Sequence, residues 1–312
     1  MSKKTIHLLI VLAALLLIFL YIRFQNRSEK QIRYFDIDSV KVARLDMFGT
    51  EGHIVVIKED NRWQLIKPMR WEINDEQINQ FFSKVLKVKV TRSPMSQDMK
   101  NLDKYRLTPD KAVTLKIYDK RNRLLDEVYF GRSLNSSFCY ARRKGENAIY
   151  QLKDNIYDFV VPSIYLWRSH IIAKVDLNDL AEVDVKYISN SYKLFPKGQK
   201  WYYQDAREYF ELQPTNLATT KIFNALTTLQ TYQFLDHHWK DVESYFKKPA
   251  VQVTIKDKKG QTTNLSFAVG KDNSVYLMKN GDTDTIYMMT LDMLNRFTIA
   301  AQHFKEALPT QQ

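Results

Sequence analysis

Cysteine, glycine and proline are scarce in this chain, and each shortage excludes a class of protein. The one cysteine, Cys139, rules out an intramolecular disulfide and any cluster of thiolate metal ligands. Its alternating position in SSFCYARR favours a buried thiol in a strand over a reactive thiol. With only 8 Gly and 8 Pro among 312 residues, the chain is neither fibrous nor of low complexity.

Catalytic signatures are absent as well. Neither G-x-S-x-G nor H-E-x-x-H occurs. The string Val269-Gly270-Lys271 resembles the end of a phosphate-binding loop, but Gly260 lies too far upstream to complete that motif. We therefore predict a protein without a cofactor and favour a non-enzymatic function. An active site assembled from distant parts of the chain stays open as the alternative.

Aromatic residues and positive charge are plentiful. The chain has 17 Phe and 18 Tyr, which can fill the cores of two domains of ordinary size. A net charge of +12 suggests affinity for anionic lipid or polymer surfaces as readily as for nucleic acid. The basic strings ARRKG and KDKKG fall at predicted hairpin turns, where Lys and Arg are simply solvated. Nucleic-acid binding is therefore not expected.

The first thirty residues predict a membrane anchor. Seventeen residues from Ile6 to Ile22 are apolar except for His7, which is the lower limit for a membrane-spanning helix. No small-x-small cleavage site follows, so we expect an uncleaved signal anchor. Positive charges flank both ends almost equally, but long domains translocate largely regardless of charge. We therefore expect a single-pass protein of the inner (cytoplasmic) membrane whose bulk is extracytoplasmic.

The remainder of the sequence predicts an internal repeat of about 138 residues. The pattern predicts an α+β fold of two tandem lobes, 39–170 and 175–305, followed by a tail, 306–312. Each lobe is expected to be a mostly antiparallel sheet with one principal helix. Trp63 matches Trp201, and Gly131 matches Gly270. On the predicted helices, the apolar spacing matches Ile78, Phe82 and Val85 with Ile222, Leu226 and Leu229.

Three tryptophans do not recur in this register, namely Trp71, Trp167 and Trp239. They are candidates for a copy-specific interface. For Trp167 in particular, packing inside a core cluster is the alternative.

The densest cluster of metal-ligand types contains His237, His238 and Asp241 in the string DHHWKDVE. Adjacent side chains point apart, so the two histidines cannot readily share one ion. A surface loop is favoured there, and no metal site is predicted.

One short motif carries a family resemblance. Tyr105-Arg106-Leu107-Thr108-Pro109 precedes an alternating strand that ends in VYFG, and Tyr245 and Pro249 repeat the pattern loosely. This arrangement resembles the bacterial domain-of-unknown-function family numbered four-three-four-zero, whose usual motif is Y-G-L-x-x-P. Arg106 stands where that motif has Gly. The resemblance implies a membrane-anchored protein associated with ABC-type transporters of gliding motility or envelope export, and it brings no catalytic residues.

These observations favour a membrane-anchored, extracytoplasmic interaction or auxiliary protein that binds subunits of an ABC-type envelope transporter complex. The alternative is an envelope enzyme that acts on cell-wall polymer or lipid at a site between the lobes.

Overall fold

The structure is a computed structural model, and it describes residues 15–17, 31–135, 137–188 and 190–305. The predicted anchor from Ile6 to Ile22 lies outside the described residues, except for residues 15–17, which are helical and exposed. Within the described ranges, no helix combines the length and the apolar character needed to cross a membrane. The predicted tail, 306–312, also lies outside them.

The chain divides into two compact units, Met1–Ser169 (unit 1) and His170–Gln312 (unit 2). Each unit contains one large antiparallel sheet, of eight strands in unit 1 and nine in unit 2. Only a few helices accompany the sheets. The predicted α+β class, mostly antiparallel, is confirmed at this level.

Among the described residues from 31 to 169, unit 1 contains ten strands and two α-helices. The strands are β1 (Gln31–Arg33), β2 (Val42–Gly49), β3 (Gly52–Glu59), β4 (Arg62–Lys67), β5 (Trp71–Glu72), β6 (Lys89–Thr91), β7 (Val113–Asp119), β8 (Leu124–Arg132), β9 (Phe138–Arg143) and β10 (Ile149–Lys153). The helices are α1 (Asp75–Gln80), which continues as a π-helical segment, Phe81–Val85, and α2 (Ile164–Trp167). Short 3-10 turns occupy Ser39–Lys41, Met99–Asn101 and Ile156–Phe159.

Unit 2 repeats this series with one additional strand. The strands are β11 (Ile171–Ala173), β12 (Leu180–Tyr187), β13 (Asn190–Lys197), β14 (Lys200–Asp205), β15 (Tyr209–Glu211), β16 (Leu229–Gln230), β17 (Gln233–Asp236), β18 (Val251–Asp257), β19 (Thr262–Val269), β20 (Val275–Lys279) and β21 (Thr285–Met289). The helices are α3 (Leu217–Thr227), α4 (Trp239–Phe246), α5 (Leu291–Asn295) and α6 (Ala301–Lys305).

The two large sheets have the same strand order. Unit 1 reads β5-β4-β3-β2-β7-β8-β9-β10, and unit 2 reads β15-β14-β13-β12-β18-β19-β20-β21 with β17 added at the far edge. In each unit a short first strand pairs with the strand that follows the main helix, β1 with β6 and β11 with β16. The predicted repeat is therefore a repeated two-sheet architecture.

Each main helix begins with the same asparagine cap. The side-chain oxygen of Asn74 accepts hydrogen bonds from the first backbone N–H groups of α1, and Asn216 caps α3 in the same way. The amide nitrogen of Asn74 donates to the carbonyl oxygen of Leu166 (3.1 Å), and that of Asn216 donates to the carbonyl oxygen of His303 (2.8 Å). Both caps thus tie the main helix to the last helical segment of their own unit.

The recurring tryptophans pack against the main helices. The ring centroid of Trp63 lies 5.4 Å from that of Phe82, and the centroid of Trp201 lies 4.7 Å from that of Phe223. All four side chains are half-buried. Since the same aromatic pair occurs in both units, Phe82 is the counterpart of Phe223, and the helices correspond at an offset of 141 residues.

This offset corrects the helix register expected from the sequence. Phe81, Phe82, Val85 and Val88 correspond to Ile222, Phe223, Leu226 and Leu229, with matching burial at each position. The predicted match of Ile78, Phe82 and Val85 with Ile222, Leu226 and Leu229 is wrong, because α3 ends at Thr227 and Leu229 lies in β16. Two adjacent phenylalanines, of which only Phe81 is fully buried, made the sequence pattern ambiguous.

The recurring glycines both lie at corners where a strand ends, but the strand register does not match them: Gly131 pairs with Tyr140, whereas Ala268 pairs with Tyr276. Gly131 stands near the end of β8, and a Cβ there would lie 2.0 Å from the backbone oxygen of Tyr105. Gly270 directly follows β19, and a Cβ there would meet the ring of Tyr276 at 3.0 Å. In both units the motif tyrosine contacts a strand tyrosine, Tyr105 with Tyr140 and Tyr245 with Tyr276.

Candidate functional site

The histidine cluster lies at the turn between β17 and α4. His237 adopts a left-handed backbone (φ 61°) directly after β17. The Nδ1 of His238 lies 2.8 Å from Oδ2 of Asp241, and both side chains are well exposed. No group of three His, Cys, Asp or Glu side chains that could hold a metal ion occurs among the described residues. The contact between His238 and Asp241 therefore brings together two side chains of metal-ligand type at the exposed start of α4.

Cys139 is fully buried in β9. Burial raises the pKa of its thiol to about 12, so the thiol stays protonated at neutral pH. The predicted buried strand thiol is confirmed. Because the thiolate is the nucleophilic form, this residue does not supply a nucleophile.

Two of the three non-recurring tryptophans belong to the packing of unit 1. Trp167 has no exposed surface, and its Nε1 donates to the carbonyl oxygen of Val161 (2.9 Å). It therefore lies in the core, as the alternative interpretation had it. Trp71 is half-buried, its Nε1 donates to the carbonyl oxygen of Ser169 (3.3 Å), and the guanidinium of Arg168 lies 3.8 Å from its ring centroid.

Trp71 also has an aromatic counterpart that the sequence analysis missed. Leu65 pairs with Trp71 across β4 and β5, and Tyr203 pairs with Phe210 at the same place in unit 2. The third tryptophan, Trp239, is half-buried in α4 with its ring 5.4 Å from that of Phe246.

The outer face of the unit 2 sheet carries a strip of stacked aromatic rings. This aromatic strip consists of Phe195 on β13, Tyr202 on β14 and Tyr209 on β15. Ring centroids lie 6.2 Å apart for Phe195 and Tyr202 and 5.4 Å apart for Tyr202 and Tyr209. The sequence neighbours Leu194 and Tyr203 have no exposed surface, so the strip faces away from the core.

A groove adjoins the aromatic strip on the same sheet. It encloses about 660 Å³, and Phe195 contributes to both the groove and the strip. Its floor includes Lys193, whose Nζ lies 3.0 Å from Glu182 and 3.6 Å from Asp184. Lys193 therefore contacts two carboxylates, so the groove has a charged lining beside the aromatic strip.

Asp205 borders the groove as a fixed carboxylate. Partial burial would raise its pKa, but hydrogen bonds from the backbone N–H of Arg207 and from the hydroxyl of Tyr203 lower it below the usual value. The same hydroxyl lies 2.8 Å from Oδ2 of Asp205. A carboxylate held ionised in this way orients the end of β14 and does not act as a proton acceptor near neutral pH.

Unit 1 carries no such rings at the equivalent positions. By strand pairing, Phe195 and Tyr202 correspond to Ile57 and Gln64, and Tyr209 corresponds to Arg70. Arg70 binds Oε1 of Gln64 at 2.6 Å and Oε2 of Glu59 at 2.9 Å. A salt-bridged polar surface in one copy is thus an aromatic surface in the other. The shared fold does not require these rings.

Partly exposed aromatic side chains of this kind are typical of protein-binding surfaces. Tyr209 is 53% exposed, and it lies on the edge strand β15, which leaves one side of the sheet open. Aromatic residues provide large contact areas at small conformational cost, and they are enriched where protein partners bind. Sequence reasoning missed the strip because its members lie seven residues apart on three strands and form no local motif.

Comparison with known proteins gives one positive result. A family model described as Domain of unknown function (DUF4340) matches residues 63–245, which is more than half of the chain. The match begins at Trp63 in unit 1 and ends at the motif tyrosine Tyr245 in unit 2. No curated protein and no solved structure matches the chain. Because the family model covers more than half of the chain, the chain belongs to the DUF4340 family.

Proposed function

We propose that this protein is a membrane-anchored, extracytoplasmic auxiliary subunit that binds an ABC-type envelope transporter through unit 2. The observation that carries the proposal is the aromatic strip, a partly exposed aromatic surface that one copy of the repeat has and the other lacks. The transporter as partner rests on the resemblance of the Tyr105–Pro109 motif to its family.

Membrane attachment is the second part of the proposal. The apolar run from Ile6 to Ile22 would hold the protein in the inner membrane with both units outside the cytoplasm. Confinement to a surface raises the effective concentration of the units, so contacts that are weak in solution suffice to hold a complex. Deleting residues 1–30 is therefore expected to abolish function in the cell even where the units still fold.

Affinity purification of the tagged full-length chain from its native membranes tests the proposal. After solubilisation in mild detergent, we expect the membrane-spanning and nucleotide-binding subunits of one transporter to co-purify. The strip variant combines Phe195→Ile, Tyr202→Gln and Tyr209→Arg, which are the unit 1 residues at the same positions. It is expected to lose these subunits, since no aromatic anchor remains.

A matched control replaces an exposed apolar side chain elsewhere. Met95 of unit 1 is 50% exposed, and Met95→Gln is expected to leave co-purification unchanged. Two results would contradict the proposal: a wild-type chain that retains no transporter subunit, or a folded strip variant that retains all of them. Full activity in the cell from a chain that lacks residues 1–30 would favour the diffusible enzyme of the alternative interpretation.

A further inference from the structure

A cavity lined with lysines lies in unit 1, beside Gln31, where the described range 31–135 begins. It encloses about 480 Å³ and is lined by residues of the main helix, β6 and the end of β10, together with Gln31. Four lysines line it, namely Lys84, Lys87, Lys89 and Lys153. Asp154 is the one acidic residue among its described lining residues. We call this site the basic cavity.

Strand pairing adds a fifth positive charge. Arg33 of β1 pairs directly with Lys89 of β6, and residues paired in this way share one face of the sheet. Like charges in direct opposition destabilise a strand pair. None of the four cavity lysines forms an ion pair with any residue that the structure describes. The ammonium of Lys84 lies 4.8 Å from the ring centroid of Phe159, which positions it without neutralising it.

The repeat provides an internal comparison for these charges. The helix offset matches Lys84, Lys87 and Lys89 with Ala225, Thr228 and Gln230. Lys153 corresponds to Thr290, because Tyr140 pairs with Gln151 just as Tyr276 pairs with Met288. All four positions are uncharged in unit 2. The same fold therefore forms without these four exposed lysines, which give this part of unit 1 a concentration of positive charge that an anionic ligand would complement.

The position of the cavity indicates which anion is available. Gln31 lies on its lining, and only eight residues lie between Gln31 and Ile22, the end of the apolar run. The nine Cα–Cα steps from Ile22 to Gln31 span at most about 30 Å when fully extended. A membrane surface that contains anionic lipid attracts nearby lysines by about 1 kcal/mol each, over a distance of about one Debye length.

We propose that the basic cavity binds the phosphate groups of anionic phospholipids at the membrane surface beside the anchor. The closeness of that surface rests on the anchor in the proposed function, whereas the chemistry of the site rests on the four lysines. Bound headgroups would neutralise the opposed charges of Arg33 and Lys89 and fix unit 1 against the membrane.

Lysine acetylation of the full-length chain in vesicles tests the proposal. The chain is reconstituted into phosphatidylcholine alone or into three parts phosphatidylcholine with one part phosphatidylglycerol. An uncharged acetylating reagent then reports the reactivity of each lysine by mass spectrometry. We expect the four cavity lysines to react at least about fivefold more slowly in the anionic vesicles. Lys240 and Lys259 of unit 2 serve as exposed references whose rates stay equal. Equal rates at the cavity lysines in both vesicles would overturn the proposal.

A lysine variant makes the test specific to the cavity. It combines Lys84→Ala, Lys87→Thr, Lys89→Gln and Lys153→Thr, the residues of unit 2. The control variant loses the same charge at exposed lysines of unit 2, through Lys221→Gln, Lys240→Gln, Lys248→Gln and Lys259→Gln. Native mass spectrometry in neutral detergent then counts bound short-chain phosphatidylglycerol.

Wild type and control are expected to retain phosphatidylglycerol in preference to phosphatidylcholine, and the lysine variant at least about tenfold less of it. Equal retention by the lysine variant would contradict the proposal. So would equal occupancy by inorganic phosphate at the same concentration, which would make the site a receptor for free phosphate.

A separate measurement distinguishes membrane binding by the anchor from lipid binding by the basic cavity. Flotation of the full-length chain with pure phosphatidylcholine vesicles at about 1 M salt, where the Debye length is about 3 Å, reports the anchor alone. A chain that fails to float would contradict the proposed function. The detergent measurement would still decide whether the cavity binds the lipid headgroup.

Discussion

The two units share a strand order and differ in the surfaces they expose. Unit 1 has four exposed lysines around a cavity and a salt-bridged polar surface at Arg70. Unit 2 has neutral residues at the lysine positions and stacked rings in place of that polar surface. Since the buried positions of both units match closely, the differences are not needed for folding. The comparison teaches that a repeated fold can be kept while the chemistry of its outer surfaces changes.

The largest effect is expected from a charge in the core under the main helix. Leu226 and Val85 are equivalent and fully buried. Leu226→Asp should destabilise unit 2, and Val85→Asp unit 1, each by at least about 4 kcal/mol, because a carboxylate would lose its hydration. Pulse proteolysis at increasing urea concentrations measures the free energy of unfolding of each unit separately, because each unit is identified by its own fragments. Asn224→Asp on the exposed face is the control, and a loss of similar size there would show that the helix register is wrong.

The two corner glycines should respond unequally. Gly131→Ala places a Cβ against the backbone oxygen of Tyr105 and is expected to cost about 2–3 kcal/mol. Gly270→Ala meets only side-chain atoms, of Asp272 and Tyr276, which can move, and should cost less than about 1 kcal/mol. The same unfolding measurement compares them. Equal costs would mean that the two corners are not distinguished by backbone contact.

Glycine at the position of Arg106 and glycine at the equivalent position of unit 2 are expected to change stability in opposite directions. Arg106 adopts a left-handed backbone (φ 55°), which explains why glycine suits this place in the family motif. Arg106→Gly should therefore stabilise unit 1 by about 0.5–1 kcal/mol. Its counterpart Phe246 ends helix α4, so Phe246→Gly should destabilise unit 2 by about 1 kcal/mol or more. Thermal unfolding of both variants checks the signs, and a destabilised Arg106→Gly chain would contradict this account.

The smallest effect is expected at the histidines that only unit 2 has. Replacing His237 and His238 together by Ala should leave transporter subunits bound and lower stability by less than about 1 kcal/mol, a cost that comes from the left-handed backbone of His237. Co-purification and thermal unfolding measure the two quantities. A loss of activity at unchanged stability would instead point to chemistry at these residues.

The sequence predicts the sheets well because alternating patterns report directly which face of a strand is buried. It misaligns the two main helices with each other because Phe81 and Phe82 are both apolar, and only packing decides which of them is in the core. It misses the recurrence of Trp71 because the counterpart is the different aromatic residue Phe210.

Neither proposed surface can be predicted from the sequence, for a further physical reason. The lysines come from the main helix, β6 and β10, and only the pairing of β1 with β6 brings Arg33 beside Lys89. The aromatic strip joins three strands through cross-strand neighbours. Such sites depend on strand register, which local motifs do not encode.

The division of surfaces between the units is tested most directly by one side-by-side purification. Wild type, the strip variant and the lysine variant are purified from the same native membranes in detergent, and co-purifying transporter subunits are quantified. We predict that the strip variant loses these subunits and that the lysine variant retains them at the wild-type level, because lipid contacts are not needed once the membrane is dissolved. Loss in both variants, or in neither, would contradict the claim that unit 2 alone carries the protein-binding surface.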